Sequence, residues 1–226
     1  MSCARSCCAD RPSGGRPRRR RPLVLGLTGS IGMGKSTAAA MFRRMRIPLH
    51  DADAAVHRLM GPGGAAVPDI AKAFPDAVVD GAVDRKRLGA IVFDDKTALR
   101  RLEAILHPRV RQQARDFIKR QRYRRAPLVV LDIPLLFETG GESLCDAVIV
   151  VSAPRFVQEQ RVLRRPGMTR ERLARIRWQQ LPDSEKRRRA DFVVETGLGK
   201  LHTLRKLRQI VKMLSGSPQQ YTSSMG

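Results

Sequence analysis

Apolar residues occur along this chain in two kinds of run. Short unbroken runs at 23–28, 47–51, 128–132, 146–151 and 191–195 have the length and branched content of strands buried on both faces. Stretches with helical character separate them: 37–44, 54–59, 67–74, 96–106, 109–125, 155–164 and 201–214. In the long basic stretch after Pro108, Val110, Ala114, Phe117 and Ile118 share one face. The order is strand, helix, strand, several helices, strand, strand, helix, strand, helix. It predicts an α/β fold, a parallel five-stranded sheet with helices on both faces. The helical stretch from about 61 to 125 reads as an insertion between the second and third core strands.

The link between the first strand and the first helix carries the chemistry. Gly29-Ser30-Ile31-Gly32-Met33-Gly34-Lys35-Ser36 fits G-x-x-x-x-G-K-[ST], and it stands between a strand and a helix, as that motif requires. Glycines let the backbone turn tightly and aim N–H groups at phosphate oxygens. The following helix start adds its positive end. Lys35 reaches the β- and γ-phosphates of ATP, and the Ser36 hydroxyl is placed to hold Mg²⁺. The expected nucleotide-binding residues are Gly29, Ile31, Gly32, Met33, Gly34, Lys35, Ser36 and Thr37. The bland reading is a glycine-rich turn that binds nothing.

Two further strands end in carboxylates, at the edge where ligands bind in open α/β sheets. Leu128-Val129-Val130-Leu131-Asp132 has the form of a Walker B strand, with Asp132 toward the metal. Asp51-Ala52-Asp53 ends the second strand. Asp53 is a candidate base for an acceptor hydroxyl, and equally a candidate cap for the helix that follows it. Arg164-Arg165-Pro166-Gly167-Met168-Thr169 is a basic turn leading into a helix capped by Thr169. A planar guanidinium in such a turn suits a phosphoryl group in transfer, though a solvated basic loop has the same composition.

Together these segments resemble the dephospho-coenzyme A kinase family. The resemblance rests on Gly26 to Thr37, Asp51-Ala52-Asp53, Asp84-Arg85-Lys86-Arg87-Leu88, Leu106-His107-Pro108, Pro134-Leu135-Leu136-Phe137-Glu138 and Ala190-Asp191-Phe192-Val193-Val194, in that order. Ser30 is a departure, since many members have Gly there. The resemblance implies transfer of the ATP γ-phosphate to the ribose 3′-hydroxyl of dephospho-CoA, the last step of coenzyme A synthesis. It implies Asp53 as base, with Lys35 and a lid arginine as the other catalytic groups. Arg165 is the first lid candidate and Arg161 the second, with the adjacent Arg164 permitting a one-residue slip. It also implies that Arg87, His107, Leu135 and Leu136 lie near the acceptor, together with Asp53 and Arg161. For any single insertion arginine (Arg85, Arg87, Arg109, Arg111) the alternative is a solvated helix face; for His107 it is a structural role at a helix start.

Composition narrows the rest. A net charge of +23 on 226 residues should attract polyanions, either a polyphosphate substrate or nucleic acid. Aromatics at 4% argue against a stacking platform for single strands, and no nucleic-acid partner is expected. The run 185–189 is expected to be a charged helix surface. The first 21 residues hold seven Arg and one Asp and read as a disordered basic extension, and 215–226 as a disordered tail. The kinase domain is then 22–214, with a lid at about 161–185. Nothing approaches a membrane span, and four cysteines without metal spacing fit a reduced, cytoplasmic setting. The alternatives are a related kinase for another small acceptor and a basic nucleic-acid-binding protein.

Overall fold

The computed structural model describes residues 21–93 and 95–216. In chain order the elements are β1 (Leu23–Thr28), α1 (Lys35–Arg44), β2 (Leu49–Asp51), α2 (Ala52–Met60), α3 (Val67–Ala73), β3 (Val78–Val79), β4 (Ala82–Val83), α4 (Arg85–Phe93), α5 (Lys96–Tyr123), β5 (Leu128–Asp132), β6 (Ala147–Ser152), α6 (Arg155–Leu163), α7 (Arg170–Gln179), α8 (Asp183–Arg188), β7 (Phe192–Glu195) and α9 (Lys200–Gly216). The main sheet has the order β2-β5-β1-β6-β7, and all its pairings are parallel. The five expected core strands are present. β1 is central, so the loop after it opens at the point where the sheet's winding reverses.

Successive residues of the strands face opposite layers, as a two-residue period demands. Leu25, Leu27, Val130, Ile149 and Val151 pack with Met41, Phe42 and Leu207 on one side. Val24, Val129 and Leu131 pack with Ala114 and Phe117 on the other. The insertion has a core of its own, built from Leu59, Ile70, Phe74, Leu88, Leu102 and Leu106 among others.

Pro108 does not split the basic segment into two helices, as the sequence led us to expect. α5 runs unbroken through it for 28 residues. Proline removes one intrahelical bond and crowds the preceding turn. Packing outweighs that loss: Leu102 and Leu106 before Pro108 are buried in the insertion core, while Ala114 and Phe117 after it are buried against the sheet. Arg109 also donates its guanidinium to the Ile105 carbonyl at 2.8 Å, next to the Ala104 carbonyl that Pro108 leaves without its helical donor. α5 is thus the strut that joins the insertion to the sheet.

Other differences are local. The antiparallel pair β3–β4 was not foreseen, because two-residue strands leave no periodic trace. Lys186 is fully buried, not part of a charged surface, with Nζ 2.8 Å from Glu138 Oε1. α9 extends through Gly216, two residues into the segment expected as tail. Arg21 pairs with Asp146, while the other residues of the N-terminal extension, and 217–226, lie outside the described residues. Among the described residues no helix is long and apolar enough to cross a membrane.

Candidate active site

The loop after β1 is shaped by backbone conformations that only glycine adopts freely. Gly32 has φ 76° and Gly34 φ 90°. A Cβ on Gly32 would stand 2.5 Å from Val162 Cγ2, and one on Gly34 3.0 Å from Thr196 Oγ1. Gly34 is the N-cap of α1 and brings no side chain to satisfy the helix start. Lys35 and Ser36 begin the helix, so their N–H groups have no carbonyl a turn behind them. They face a cavity of about 580 Å³. The loop is an anion cradle before any ligand arrives.

That cavity gathers most of the residues singled out from the sequence. Gly29, Ile31, Gly32, Gly34, Lys35, Ser36 and Thr37 line it, with Asp53, Arg161 and Arg165. Met33 stands apart. Its side chain is buried in the core, its N–H donates to the Ser30 carbonyl at 3.1 Å, and its Sδ accepts from the Ala153 N–H at 3.1 Å. It holds the loop's shape.

Lys35 Nζ donates to Asp132 Oδ1 at 2.6 Å. Burial raises the Asp132 carboxyl above the ordinary aspartate value; Lys35 pulls it back, and the charges of Asp51 and Asp53 push it further up. Register places Asp51 beside Asp132 across the β2–β5 pairing. Among the described residues Lys35 pairs with Asp132 alone, and the nearby negative charge of Asp51 and Asp53 favours a cation beside that carboxylate. The hard oxygen donors available are the Ser36 hydroxyl and the Asp132 carboxylate, and this set fits Mg²⁺, which retains waters and phosphate oxygens. Groups of three metal-ligating side chains are absent among the described residues, as such a sparse demand allows.

The cap at 51–53 is Asp51, not Asp53. Asp51 is the N-cap of α2, its Oδ1 accepting from the Ala54 N–H at 3.0 Å. Its other oxygen lies 3.3 Å from Arg43. Asp53, one turn-start further on, leaves the capping to Asp51 and lines the cavity with the phosphate-binding loop.

The two lid candidates differ. Arg161 is committed to the protein. It donates to Thr196 Oγ1 at 2.9 Å, to the Thr196 carbonyl at 2.8 Å and to the Gly32 carbonyl at 3.4 Å. Thr196 in turn donates to the Met33 carbonyl at 2.7 Å. Arg165 is exposed on the cavity wall, and among the described residues no carboxylate pairs with it. Thr169 caps α7 as expected, accepting from the Arg172 N–H.

The acceptor-side candidates do not converge. Leu136 is fully buried, packed with Phe137, Val148 and Val150. That is a core position: a side chain with no exposed surface contacts no ligand here. Leu135 is 39% exposed. Arg87 is exposed, with Nε 3.4 Å from Asp84 Oδ2. His107 lies inside α5, one residue before Pro108, and not at a helix start. None of these four lines the cavity, whereas the neighbouring Pro134 does. Among the other arginines weighed, Arg109 bonds to Asp69 and to the Ala65 carbonyl, and Arg111 to the Thr139 carbonyl. They brace the insertion.

Sequence reasoning missed Gln158, Gln180 and Thr196, all of which bond to the loop. Gln158 carried a faint signal. It is four residues before Val162 on α6, so a glutamine occupies the buried stripe of an amphipathic helix.

Comparison with known proteins gives the family. The family profile described as dephospho-CoA kinase matches residues 23–199. A dephospho-CoA kinase of Paramagnetospirillum magneticum is 63% identical over 194 residues, 86% of this chain and 92% of the relative. One from Mesorhizobium japonicum is 59% identical over 177 residues, 78% of this chain and 89% of the relative. The crystal structure of a Thermus thermophilus protein superposes with a TM-score of 0.77 at 38% identity, covering 86% of this chain and 98% of the other. The dephospho-CoA kinase of Campylobacter jejuni, at 22% identity and a TM-score of 0.61, covering 88% of this chain and 100% of that one, shares the fold. The chain belongs to the dephospho-CoA kinase family.

Proposed function

We propose that this protein transfers the γ-phosphoryl group of ATP to the ribose 3′-hydroxyl of dephospho-CoA, giving coenzyme A and ADP. The observation that carries the reading is the position of Asp53. It shares one cavity wall with the phosphate-binding loop, and its helix-capping duty has passed to Asp51. A carboxylate there meets a hydroxyl presented in line with the γ-phosphate.

Each group then has a task. The N–H groups of the loop and of the start of α1 hold the phosphates. Lys35 is poised on Asp132; moving its ammonium toward phosphate oxygens leaves that carboxylate for Mg²⁺, with Ser36 as the second protein donor. The metal, when bound, spreads the charge of the β- and γ-oxygens. Arg165 supplies a guanidinium to the transferring group, and Asp53 orients the acceptor hydroxyl and takes its proton. Arg87, His107 and Leu135 belong to the acceptor end, reached by closure of the insertion and lid, which also excludes water as a competing acceptor. The reading carries a cytoplasmic setting and no nucleic-acid partner. Cys145, a free half-buried thiol pushed up to about 12 chiefly by desolvation, is chemically inert there.

The test is product analysis. Incubation with ATP, Mg²⁺ and dephospho-CoA should yield a product heavier by one phosphoryl group, with phosphorus on the 3′-oxygen by NMR. Turnover with a nucleoside monophosphate or a sugar acid in its place would move the chain to another acceptor. Salt-sensitive DNA binding without ATP turnover would replace the enzyme reading altogether.

A further inference from the structure

The backbone of Ile31 is held on both sides by amide side chains, one on α6 and one directly after α7. Its N–H donates to Gln180 Oε1 at 3.1 Å, and its carbonyl accepts from Gln158 Nε2 at 2.7 Å. Gln180 follows α7 directly, as its C-cap. Gln158 belongs to α6 and is 4% exposed. Its amide is oriented by α7: Arg177 donates Nε and one terminal nitrogen to Gln158 Oε1 at 2.9 and 2.6 Å. A guanidinium only donates, so the atom receiving both bonds must be the amide oxygen. The NH₂ is then turned to the Ile31 carbonyl, which only accepts. Hydrogen-bond polarity therefore agrees at every step from Arg177 to Ile31. The remaining terminal nitrogen of Arg177 bonds to Glu159 Oε1 at 2.9 Å, anchoring the guanidinium in its plane.

We propose that α7 sets the conformation of the phosphate-binding loop through the two peptide groups that flank Ile31, with Gln158, Arg177 and Gln180 as positioning residues. The direct arm is Gln180 on the N–H. The indirect arm is Arg177, through Gln158, on the C=O. Gly32 follows Ile31 in the left-handed region, and a rotation of the 31–32 peptide would re-aim the N–H groups beyond it. The lid and the nucleotide site thus read each other: α7 in place stiffens the cradle, and a filled cradle favours α7 in place. Arg161 holds the same loop at Gly32 from the other end of α6, but it makes no bond to α7 and lies outside this relay.

The inference rests on the loop being the ATP site, so its test measures nucleotide binding apart from acceptor turnover. Five variants of the full chain are compared with wild type: Gln158→Glu, Gln158→Leu, Arg177→Met, the double variant of the last two, and Gln180→Met. Gln158→Glu keeps two acceptor oxygens for Arg177 and turns one against the Ile31 carbonyl. Each is measured for Mg·ATP affinity by calorimetry, and for kcat and both KM values with dephospho-CoA. Expected are a loss of about tenfold in Mg·ATP affinity for Gln158→Glu and Gln180→Met, the value of one hydrogen bond to a well-placed peptide. The KM for dephospho-CoA should stay within about twofold, since positioning acts on the nucleotide side. For the cycle the change at 158 is Gln158→Leu, which, unlike Gln158→Glu, gains no ion pair with Arg177. There Arg177→Met should add almost nothing to Gln158→Leu alone, because it acts through that residue. Wild-type affinity throughout, equal weakening toward both substrates, or additive losses in the cycle would each overturn the proposal. If the Gln158 variants fail to fold, the half-exposed Gln180→Met and Arg177→Met decide: either must weaken Mg·ATP binding selectively. If wild type binds Mg·ATP but ignores dephospho-CoA, the acceptor assignment fails while the affinity comparison still judges the relay.

Discussion

The two sides of the catalytic cleft are built differently. On the nucleotide side the loop's shape is fixed by glycine conformations, by Met33 in the core, and by bonds from Arg161, Thr196, Gln158 and Gln180. Its residues other than Met33 line one cavity as they stand. On the acceptor side Arg87 and Leu135 are exposed, and they and His107 remain outside that cavity. The insertion that carries Arg87 and His107 has its own core, linked to the sheet by the α5 strut. Phosphate recognition needs donors that are fixed in advance, because main-chain dipoles act through orientation. In the proposed reading, acceptor recognition falls to exposed side chains that a bound molecule gathers.

This contrast makes graded predictions. The largest effect is expected at Arg165. Arg165→Ala should lower kcat by on the order of 10³-fold, with folding unchanged, since the side chain is exposed and without a carboxylate partner among the described residues. A loss under about tenfold, by steady-state kinetics, would return Arg165 to the solvated loop. Leu136→Ala comes next and should act on stability. A fully buried leucine cut to alanine loses about 2–5 kcal/mol, measurable by urea unfolding, with the KM for dephospho-CoA unchanged. A raised KM in a protein of wild-type stability would put Leu136 back among substrate contacts.

Smaller effects probe the open side. Arg87→Ala should change stability by no more than about 0.5 kcal/mol, because its pair with Asp84 is exposed. The KM for dephospho-CoA should rise about tenfold if the guanidinium meets a substrate phosphate on closure. An unchanged KM would remove Arg87 from the acceptor site.

The smallest effect concerns acid stability. His50 is buried against Phe117, and desolvation, with Arg58 and Arg120 helping, lowers it below the ordinary 6.5; Asp51 opposes. Below 6.5 the unfolded chain takes up a proton that the folded one refuses. His50 therefore contributes stability above that value, and the contribution is lost as pH falls from it toward the folded pKa. Unfolding measured from pH 7.5 to 5 should show this loss in wild type and a flatter profile in His50→Leu.

How far the sequence could be read follows the same division. The five core strands and the phosphate loop were legible because each has a local cause: an apolar run of strand length, or glycines at fixed spacing. Asp53 and Asp132 were legible because strand ends mark the ligand edge of a parallel sheet. Pro108 misled because its local penalty is outweighed by packing against two separate cores, which no local rule registers. Lys186 misled because its partner Glu138 is 48 positions earlier in sequence. The hold of Gln158, Gln180 and Thr196 on the loop likewise joins residues far apart in the chain, with polar side chains that form no motif. Leu136 shares its motif with exposed Leu135, and only the fold distinguishes the two.

The central claim is that a prebuilt nucleotide cradle serves a carboxylate, Asp53, acting on the acceptor. The most direct measurement is ADP release from Mg·ATP with and without dephospho-CoA, in wild type and Asp53→Asn, with ATP affinity measured in both. The account predicts stimulation by dephospho-CoA in wild type. It predicts loss of that stimulation by on the order of 10²–10⁴-fold in a folded variant that binds ATP as wild type does. Stimulation that survives in Asp53→Asn would contradict the role given to this carboxylate.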